Sequence, residues 1–366
     1  MLFLEKIELK IICFSKDYYM ELELDNDIYL KTLTGFGQTG LYNLGNTCYL
    51  NTAIQCLSAI KPLSYYFLNN LYVNEINNKA EHEVSDEYAE LMKKIWSSNT
   101  RYSPKNFKQI IGKFYEPFLT RDQQDSAEAY SKILELLHIG LSYGVDFNEP
   151  ICGPIYRFAL NKWKEEFENN YSLIVRLFYG QFWSRTKCDI CQNITNNFEP
   201  FSLINLPINE VTNTLEDCID NFTNCEDMHT DNMIDCEKCK KKCSGKKKIS
   251  VWRLPPVLVF CFNRFDDSGR KINKLIDFPI NKTIFNNLVE KKNDKLAVYD
   301  LVSIANHSGS LGAGHYWAYC KGSNSNWYEC DDDRITEIDV SHLVSSTAYY
   351  IIYLRRDLEC DDIFIT

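Results

Sequence analysis

The sequence predicts an α+β fold in which a helical part comes first and a strand-rich part follows. Residues 48–140 place apolar side chains three and four residues apart, which is helical spacing. From about residue 251 to residue 354 the chain instead forms short apolar and aromatic runs, which are typical of strands. Between the two parts stand two Cys-x-x-Cys pairs, a pattern typical of a structural zinc site.

The composition is that of a globular intracellular protein. The chain has 366 residues, enough for one elaborated domain or two, and its 45% hydrophobic content suffices for a sizeable core. A net charge of −10 disfavours a nucleic-acid or anionic-membrane partner. No apolar run is long enough to span a membrane, and residues 1–8 carry charge too early for a signal peptide. Fifteen cysteines without such a signal point to a reducing compartment, the cytoplasm or the nucleus, and to metal binding or catalysis.

A candidate nucleophile, Cys48, stands at the start of a predicted helix. Asn46 or Thr47 is placed to cap this helix with a side-chain oxygen. A thiol on the first turn ionises more readily than one in a core, because the helix dipole favours an anion there. Asn43 lies five residues upstream on a Gly-rich turn, so its amide can fold back and donate to an oxyanion. The alternative for Cys48 is a small buried residue that packs a core helix.

A candidate base, His315, lies on a predicted strand in the last quarter of the chain. A Gly-rich loop over residues 306–313 precedes this strand, and a second short strand from Trp327 ends in Asp331 and Asp332. A hairpin of the two strands would let one of these carboxylates accept a hydrogen bond from His315. This is the Cys–His–Asp arrangement, in which the acid orients the imidazole. A purely structural histidine is the alternative.

Together the Cys48 stretch, the Gly-His-Tyr-Trp-Ala-Tyr run and the Trp-x-x-x-Asp-Asp run resemble the Cys and His boxes of the ubiquitin-specific proteases, which are papain-like deubiquitinases. The resemblance covers residues 40–355 and implies a papain-like cysteine-protease fold. In that fold a helical thumb at about 40–140 faces a β-rich palm, and palm and zinc-bearing fingers together span about 155–355. The fingers subdomain takes about 182–250, and the implied partners are ubiquitin or ubiquitinated proteins.

The resemblance also implies roles for individual residues. It makes Cys48 the nucleophile, His315 the base and Asp331 the orienting carboxylate, while Asn43 helps to form the oxyanion hole. Asp332 matches a second acidic position that assists in some members, so sequence alone does not separate the two acids.

A polar run at residues 121–130 opens a predicted amphipathic helix whose first turn can simply be solvated. This run resembles the Gln-Gln-Asp box of the same family, with Ala129 where the family commonly has Phe. Gln124 and Asp125 are therefore carried over as contacts of the ubiquitin tail, since a carboxylate pairs well with the arginines of a basic tail. Gly314 and Tyr316 are further substrate-binding candidates, and Gly314 with the loop at 309–312 would roof a narrow tunnel.

The predicted metal centre is structural zinc held by two knuckles. Its ligands are Cys188 and Cys191 from the first, and Cys236 and Cys239 from the second. The gap between the knuckles exceeds that of a compact ribbon, so the metal belongs at the tip of long strand pairs. Cys243 competes with Cys239 for the last position, and spacing favours Cys239. The lysines around the second knuckle fit a solvated tip better than a nucleic-acid site.

The remaining predictions concern the ends of the chain and two rival functions. Residues 1–34 alternate as short strands and form a strand-rich extension of a catalytic domain over 35–366. The rivals are a catalytically inactive ubiquitin-binding scaffold and a zinc-ribbon nucleic-acid binder. The intact Cys48, His315 and Asp331 oppose the first, and the negative net charge opposes the second.

Overall fold

The computed structural model describes residues 37–97, 101–147, 153–266, 268–285, 288–289, 297–310 and 312–356. The predicted N-terminal strands, at 1–34, lie outside these residues. Within them, helices dominate the first part and strands the second, so the predicted α+β arrangement is confirmed.

The first part contains five helices among the described residues, with short 3₁₀ turns at Leu71–Asn74 and Glu116–Leu119. The helices are α1 Cys48–Ser58, α2 Lys61–Leu68, α3 His82–Ser97, α4 Lys105–Phe114 and α5 Ser126–Leu141. Every residue of α1 is buried, because α5 packs against it on one side and the large sheet on another. The apolar face predicted for this helix therefore lies in the core, and the remaining faces are buried with it.

Two further helices lead into the strand-rich part, α6 Pro154–Phe167 and α7 Leu173–Phe178, and α8 Leu215–Thr223 follows later. The strands are β1 Gly180–Cys188, β2 Ile194–Phe201, β3 Ile204–Pro207, β4 Glu226–Met228, β5 Ile234–Cys236, β6 Lys241–Cys243, β7 Gly245–Arg253, β8 Val257–Asn263, β9 Thr283–Ile284, β10 Val298–Ser310, β11 Ala313–Lys321, β12 Trp327–Asp331, β13 Arg334–Ile338 and β14 Ala348–Arg355. Short 3₁₀ turns lie at Thr230–Asn232 and Val340–His342.

The large sheet has the order β13-β12-β11-β10-β14-β8-β3, with β9 paired to β10. Its described pairs are antiparallel except β3 with β8. Successive residues of β8 enter different cores, because side chains alternate across a strand. Val259 joins the core shared with α1 and α5, whereas Phe260 joins the core on the opposite face, which α8 covers. α1 thus packs against one face of the large sheet, and strands β11 and β12 lie beside the end of α1 that carries Cys48.

The smaller sheet, in the order β2-β1-β7-β4, projects the cysteine knuckles. The long strands β1 and β7 pair so that Cys188 lies opposite Gly245. The hairpin of β5 and β6 carries Cys236 and Cys243 at the ends of its strands. The cysteines therefore meet at the tip of long strand pairs, where the sequence places them.

Among the described residues, no helix has both the length and the hydropathy needed to cross a bilayer.

Candidate active site

Cys48 is the first residue of α1, and only 3% of its surface is exposed to solvent. Thr47 occupies the N-cap position, but no side chain caps the helix. The predicted side-chain cap is therefore wrong, because the Thr47 hydroxyl instead accepts from the backbone N–H of Leu44 at 2.8 Å. The N–H groups of the first turn thus receive no capping oxygen, and this leaves a positive helix terminus beside the sulfur.

His315 lies on β11 and pairs with Asp331 at the end of β12. Its Nε2 is 2.6 Å from Asp331 Oδ1. Arg334 donates to the other oxygen of Asp331 at 2.6 Å, so hydrogen bonds hold both oxygens of this carboxylate in place. The hydrogen bond with Cys48 is the largest cause that raises the pKa of His315 to about 9, and the bond with Asp331 adds to it against the opposing effect of burial. The ring thus interacts with both the thiol and the acid.

Asp332 has different partners from its neighbour. Its carboxylate accepts from Asn43 Nδ2 at 2.9 Å and from Asn51 Nδ2 at 2.8 Å. Its backbone carbonyl accepts from the N–H of Leu41 at 2.8 Å. Asp332 therefore binds the segment before α1 and α1 itself, and so joins the end of β12 to the helical part.

The Asn43 side chain is fixed at both ends. Its Oδ1 accepts from the backbone N–H groups of Gly45 at 3.0 Å and Thr47 at 3.1 Å, so the amide nitrogen must point the other way. One of the two protons on Nδ2 goes to Asp332, and the second remains for another acceptor. Asn43 is exposed, so a substrate oxygen can reach this amide.

Asp125 holds the start of α5. Its Oδ1 accepts from the backbone N–H groups of Ala127 at 2.7 Å and Glu128 at 3.0 Å, which makes it the N-cap. Its Oδ2 accepts from the hydroxyls of Tyr349 and, at 3.4 Å, Tyr316. Two candidates for tail binding, Asp125 and Tyr316, are therefore bonded to each other, and the carboxylate also serves the fold.

The two neighbouring glutamines have different contacts. Gln124 donates to the carbonyl of Pro117 at 3.4 Å. Gln123 reaches across to β11, where its Nε2 donates to the Gly314 carbonyl at 2.9 Å and its Oε1 accepts from the Gly314 N–H at 2.8 Å. Sequence reasoning gave no role to Gln123, and its position beside Gln124 was the only signal.

Asn51, Arg334 and Tyr349 are also absent from the residues that the sequence singled out. Asn51 carried a usable signal, because a polar side chain inside an apolar helix requires a hydrogen-bond partner. Arg334 follows Asp331 by three residues across a tight turn, where an acid and a base often pair. Tyr349 had no local signal, since its partner Asp125 is distant in the sequence.

The cysteine cluster is a candidate metal centre. The sulfur atoms of Cys188, Cys236, Cys239 and Cys243 all lie within 4.8 Å of one another. The Cys191 sulfur is 3.5 Å from that of Cys236, so five thiols converge. Tetrahedral zinc with four thiolates separates its sulfurs by about 3.8 Å, and the distance of 4.0 Å between Cys188 and Cys239 fits that geometry. The mutually close set contains Cys243 where the sequence favoured Cys191.

Known proteins resemble this chain over most of its length. The model of the family described as ubiquitin carboxyl-terminal hydrolase matches residues 39–353. Ubiquitin carboxyl-terminal hydrolase 21 of Mus musculus is 30% identical over 94% of the chain and 66% of its own length. The Homo sapiens protein of the same name is 30% identical over 93% of the chain and 65% of its own. The chain thus spans just under two thirds of the length of these two relatives.

Solved structures share the fold. A chain of the SAGA Ubp8/Sgf11/Sus1/Sgf73 DUB module bound to ubiquitin aldehyde matches with a TM-score of 0.69 at 21% identity, over 91% of this chain and 73% of the other. The same module bound to monoubiquitin gives equal values. This likeness confirms the predicted fold class, and the family match confirms the predicted relationship. The chain belongs to the ubiquitin carboxyl-terminal hydrolase family.

Proposed function

We propose that this protein is a cysteine-type deubiquitinase, a thiol hydrolase that cleaves the peptide or isopeptide bond at the C-terminus of ubiquitin. The observation that carries the proposal is the position of His315, hydrogen-bonded to Asp331 and interacting electrostatically with Cys48, in a chain of this family. The relatives of the family bear the name of this activity, and solved structures of the same fold hold ubiquitin or ubiquitin aldehyde.

In the proposed reaction the Cys48 sulfur attacks the carbonyl carbon of the last glycine of ubiquitin. The thiol proton is transferred to His315, and Asp331 stabilises the resulting imidazolium and fixes the orientation of its ring. The second amide proton of Asn43 and the first-turn N–H groups of α1 stabilise the oxyanion. His315 then gives its proton to the leaving amine, and a thioester to Cys48 remains. Water activated by the same ring hydrolyses this thioester and releases ubiquitin.

The substrate end of the site comprises Gln124, Asp125, Gly314 and Tyr316. A side chain at Gly314 is excluded, because its Cβ would lie 2.1 Å from His307 Nε2, so the Gly-Gly terminus of ubiquitin would meet only backbone at this position. Asp125 and Tyr316 form a wall whose hydrogen bonds are already made within the protein. An arginine of the tail would therefore meet a carboxylate whose orientation is fixed before binding, which reduces the entropy lost on association.

Structural zinc completes the proposal. Cys188, Cys236 and Cys239 belong to both candidate ligand sets, and Cys191 or Cys243 is the fourth ligand. Bound zinc would fix the tip of the fingers, as four thiolates do in structural sites. The reduced thiols that both sites need fit an intracellular location, the cytoplasm or the nucleus. The catalytic domain of the proposal is 35–366, with the thumb, palm and fingers divided as the sequence indicates.

The test is a reaction with ubiquitin that bears an electrophile at its C-terminus. The intact mass should rise by one ubiquitin, with the adduct on Cys48. Cys48→Ala should form no adduct and turn over no ubiquitin–fluorophore amide, yet still bind ubiquitin. The matched control is Cys225→Ala, because this thiol is exposed and lies outside the site. If the wild-type protein binds ubiquitin but is not modified, the enzyme proposal is wrong and an inactive ubiquitin-binding scaffold is favoured. Salt-dependent binding to DNA would instead favour the nucleic-acid binder.

A further inference from the structure

The edge of β11 beside the active site is completed by a side chain rather than by a strand. The pairing of β11 with β12 runs from Ala318 to Lys321, so Gly314 lies beyond it. There, both polar groups of Gly314 are bonded to the Gln123 side chain, at 2.8 and 2.9 Å. A primary amide presents one donor and one acceptor, and so reproduces the pattern of a neighbouring strand. Gln123 thereby connects the start of α5 to the residue that immediately precedes His315.

The Gly314 peptide is also confined by the body of the sheet. A Cβ at this position would lie 2.1 Å from His307 Nε2 and 2.7 Å from the carbonyl of Ser308. His307 is itself fixed, since it is buried, its ring packs 4.5 Å from that of Tyr316, and Lys271 donates to its carbonyl at 2.5 Å. The remaining freedom of Gly314 is therefore in the direction of the cleft, where Gln123 holds it.

The turn that leads into this strand contains two glycines, and the ladder with β10 holds the strand on one side only, where Gly309 lies opposite Gly314. Gly309 and Gly312 have φ angles of +108° and +78°, values that glycine adopts freely. Without the Gln123 bonds, the end of the β10–β11 hairpin could shift, and the His315 backbone would shift with it. Proton transfer between Cys48 and His315 depends steeply on their separation, because a displacement near 1 Å costs about a hundredfold in rate.

We propose that Gln123 is a positioning residue that fixes His315, through the Gly314 peptide, at the separation from Cys48 that proton transfer requires. This inference rests on the proposed function, because it concerns the same triad. The amide is already in place in the protein without substrate, and the bond of His315 to Asp331 is formed in the same structure. Gln123 thus acts before ubiquitin arrives.

The experiment compares Gln123→Met with Gln109→Met. Methionine has nearly the length of glutamine but lacks both hydrogen bonds, and Gln109 is an exposed position on α4. The first measurement is the alkylation rate of Cys48 by iodoacetamide across pH, read by mass on the Cys48 peptide, with no ubiquitin present. The second is kcat and KM for a ubiquitin–fluorophore amide. We expect Gln123→Met to slow Cys48 alkylation at neutral pH by about tenfold and to lower kcat by about ten- to a hundredfold with KM unchanged, whereas Gln109→Met changes neither.

A second variant, Gln123→Glu, distinguishes the two hydrogen bonds between Gln123 and Gly314. It also replaces Gln123→Met in the experiment if circular dichroism shows that Gln123→Met is unfolded. Gln123→Glu keeps the acceptor for the Gly314 N–H but places a carboxylate oxygen against the Gly314 carbonyl, so its loss of kcat should also appear with unchanged KM. A raised KM with unchanged kcat and alkylation would make Gln123 a tail contact and overturn the proposal. So would an increased kcat/KM, which would mean that Gln123 holds the cleft closed. Because alkylation needs no ubiquitin, failure of this inference is distinct from failure of the proposed activity.

Discussion

Asp332 accepts a hydrogen bond from the side-chain amide of Asn43 at 2.9 Å. The adjacent acid, Asp331, faces His315 instead. Asp332 has a φ of +50°, and this turn of the backbone directs the two neighbouring carboxylates to different targets. One acid orients the base, and the other holds the amide placed to bind the oxyanion.

The two acids are predicted to differ in their mutant kinetics. Asp331→Asn should lower kcat by about ten- to a hundredfold with little change in ubiquitin affinity, because the charge that steadies the imidazolium is lost. Asp331→Ala should cost more, since the ring can then turn. The measurement is kcat with the ubiquitin–fluorophore amide, beside the affinity of each variant for ubiquitin.

Asp332→Ala should act through stability as well as rate. It removes the acceptor of Asn43 and one acceptor of the buried Asn51, whose amide keeps the carbonyls of Leu41 at 3.1 Å and Tyr42 at 3.4 Å. The cost is therefore the loss of hydrogen bonds to a charged group, about 1.5–3 kcal/mol of unfolding free energy. Denaturant unfolding of this variant, compared with Asp331→Ala, measures that difference. A greater loss of kcat at Asp332 than at Asp331, with equal ubiquitin affinity and unchanged stability, would reverse the assignment.

The pH dependence of kcat/KM should show an alkaline limb near pH 9. The pKa of His315 is raised to about 9, chiefly by its hydrogen bond with Cys48, and the proton on this ring is needed by the leaving amine. Activity should therefore fall as the pH rises through that value. In Asp331→Asn the limb should move to lower pH, because one of the raising interactions is weakened. A limb that stays in place would mean that Asp331 does not contact the titrating ring.

The raised pKa of His315 also makes the unfolding free energy depend on pH. Since the pKa of His315 rises from 6.5 to about 9 on folding, the stabilisation is complete below pH 6.5 and disappears as the pH approaches 9. Urea unfolding at several pH values should show this loss in the wild type and not in His315→Ala.

Serine variants should identify the zinc ligands. Cys236→Ser should release zinc and destabilise the fingers, because structural zinc contributes on the order of 10 kcal/mol where folding depends on it. Of Cys191→Ser and Cys243→Ser, the one that lowers zinc content in purified protein marks the fourth ligand. Cys225→Ser is the control, as an exposed thiol outside the cluster. Elemental analysis that finds no zinc in the wild type would refute the site.

Gly314→Ala should destabilise the protein by about 1–3 kcal/mol and lower kcat, since the added methyl group overlaps His307 Nε2 at 2.1 Å. Gly144→Ala is the matched control, because its Cβ would have only the Glu168 carbonyl nearby, at 3.8 Å. Chemical denaturation of both variants measures the difference. Equal unfolding free energies for the two variants would show that β11 accommodates the added methyl group without loss of stability.

The sequence predicts the parts of this site that consist of short motifs with one chemical purpose. Cys48 at a helix start and His315 on a strand are of this kind, and so is the cysteine cluster at the end of long strands. The backbone turn at Asp332 is not, because an Asp with positive φ has no distinctive sequence. Nor is the bond between Gln123 and Gly314, which joins positions 191 residues apart. The presence of Cys243 beside Cys239 in the cluster likewise depends on the strand hairpin, since spacing alone favours Cys239 over Cys243.

The complete burial of α1 has a consequence for genetic variation in this protein. A helix on a protein surface tolerates substitutions with a period of three to four residues, because one face meets water. Cys48–Ser58 has no such face. A saturation mutagenesis screen for abundance should therefore record an unbroken band of intolerant positions after Cys48, over residues 49–58, while α4, which has exposed residues such as Lys105 and Gln109, should show periodic tolerance. Because substitutions within the band lower the amount of folded protein, variants that abolish cleavage at normal protein levels should come mostly from Cys48, β11 and β12.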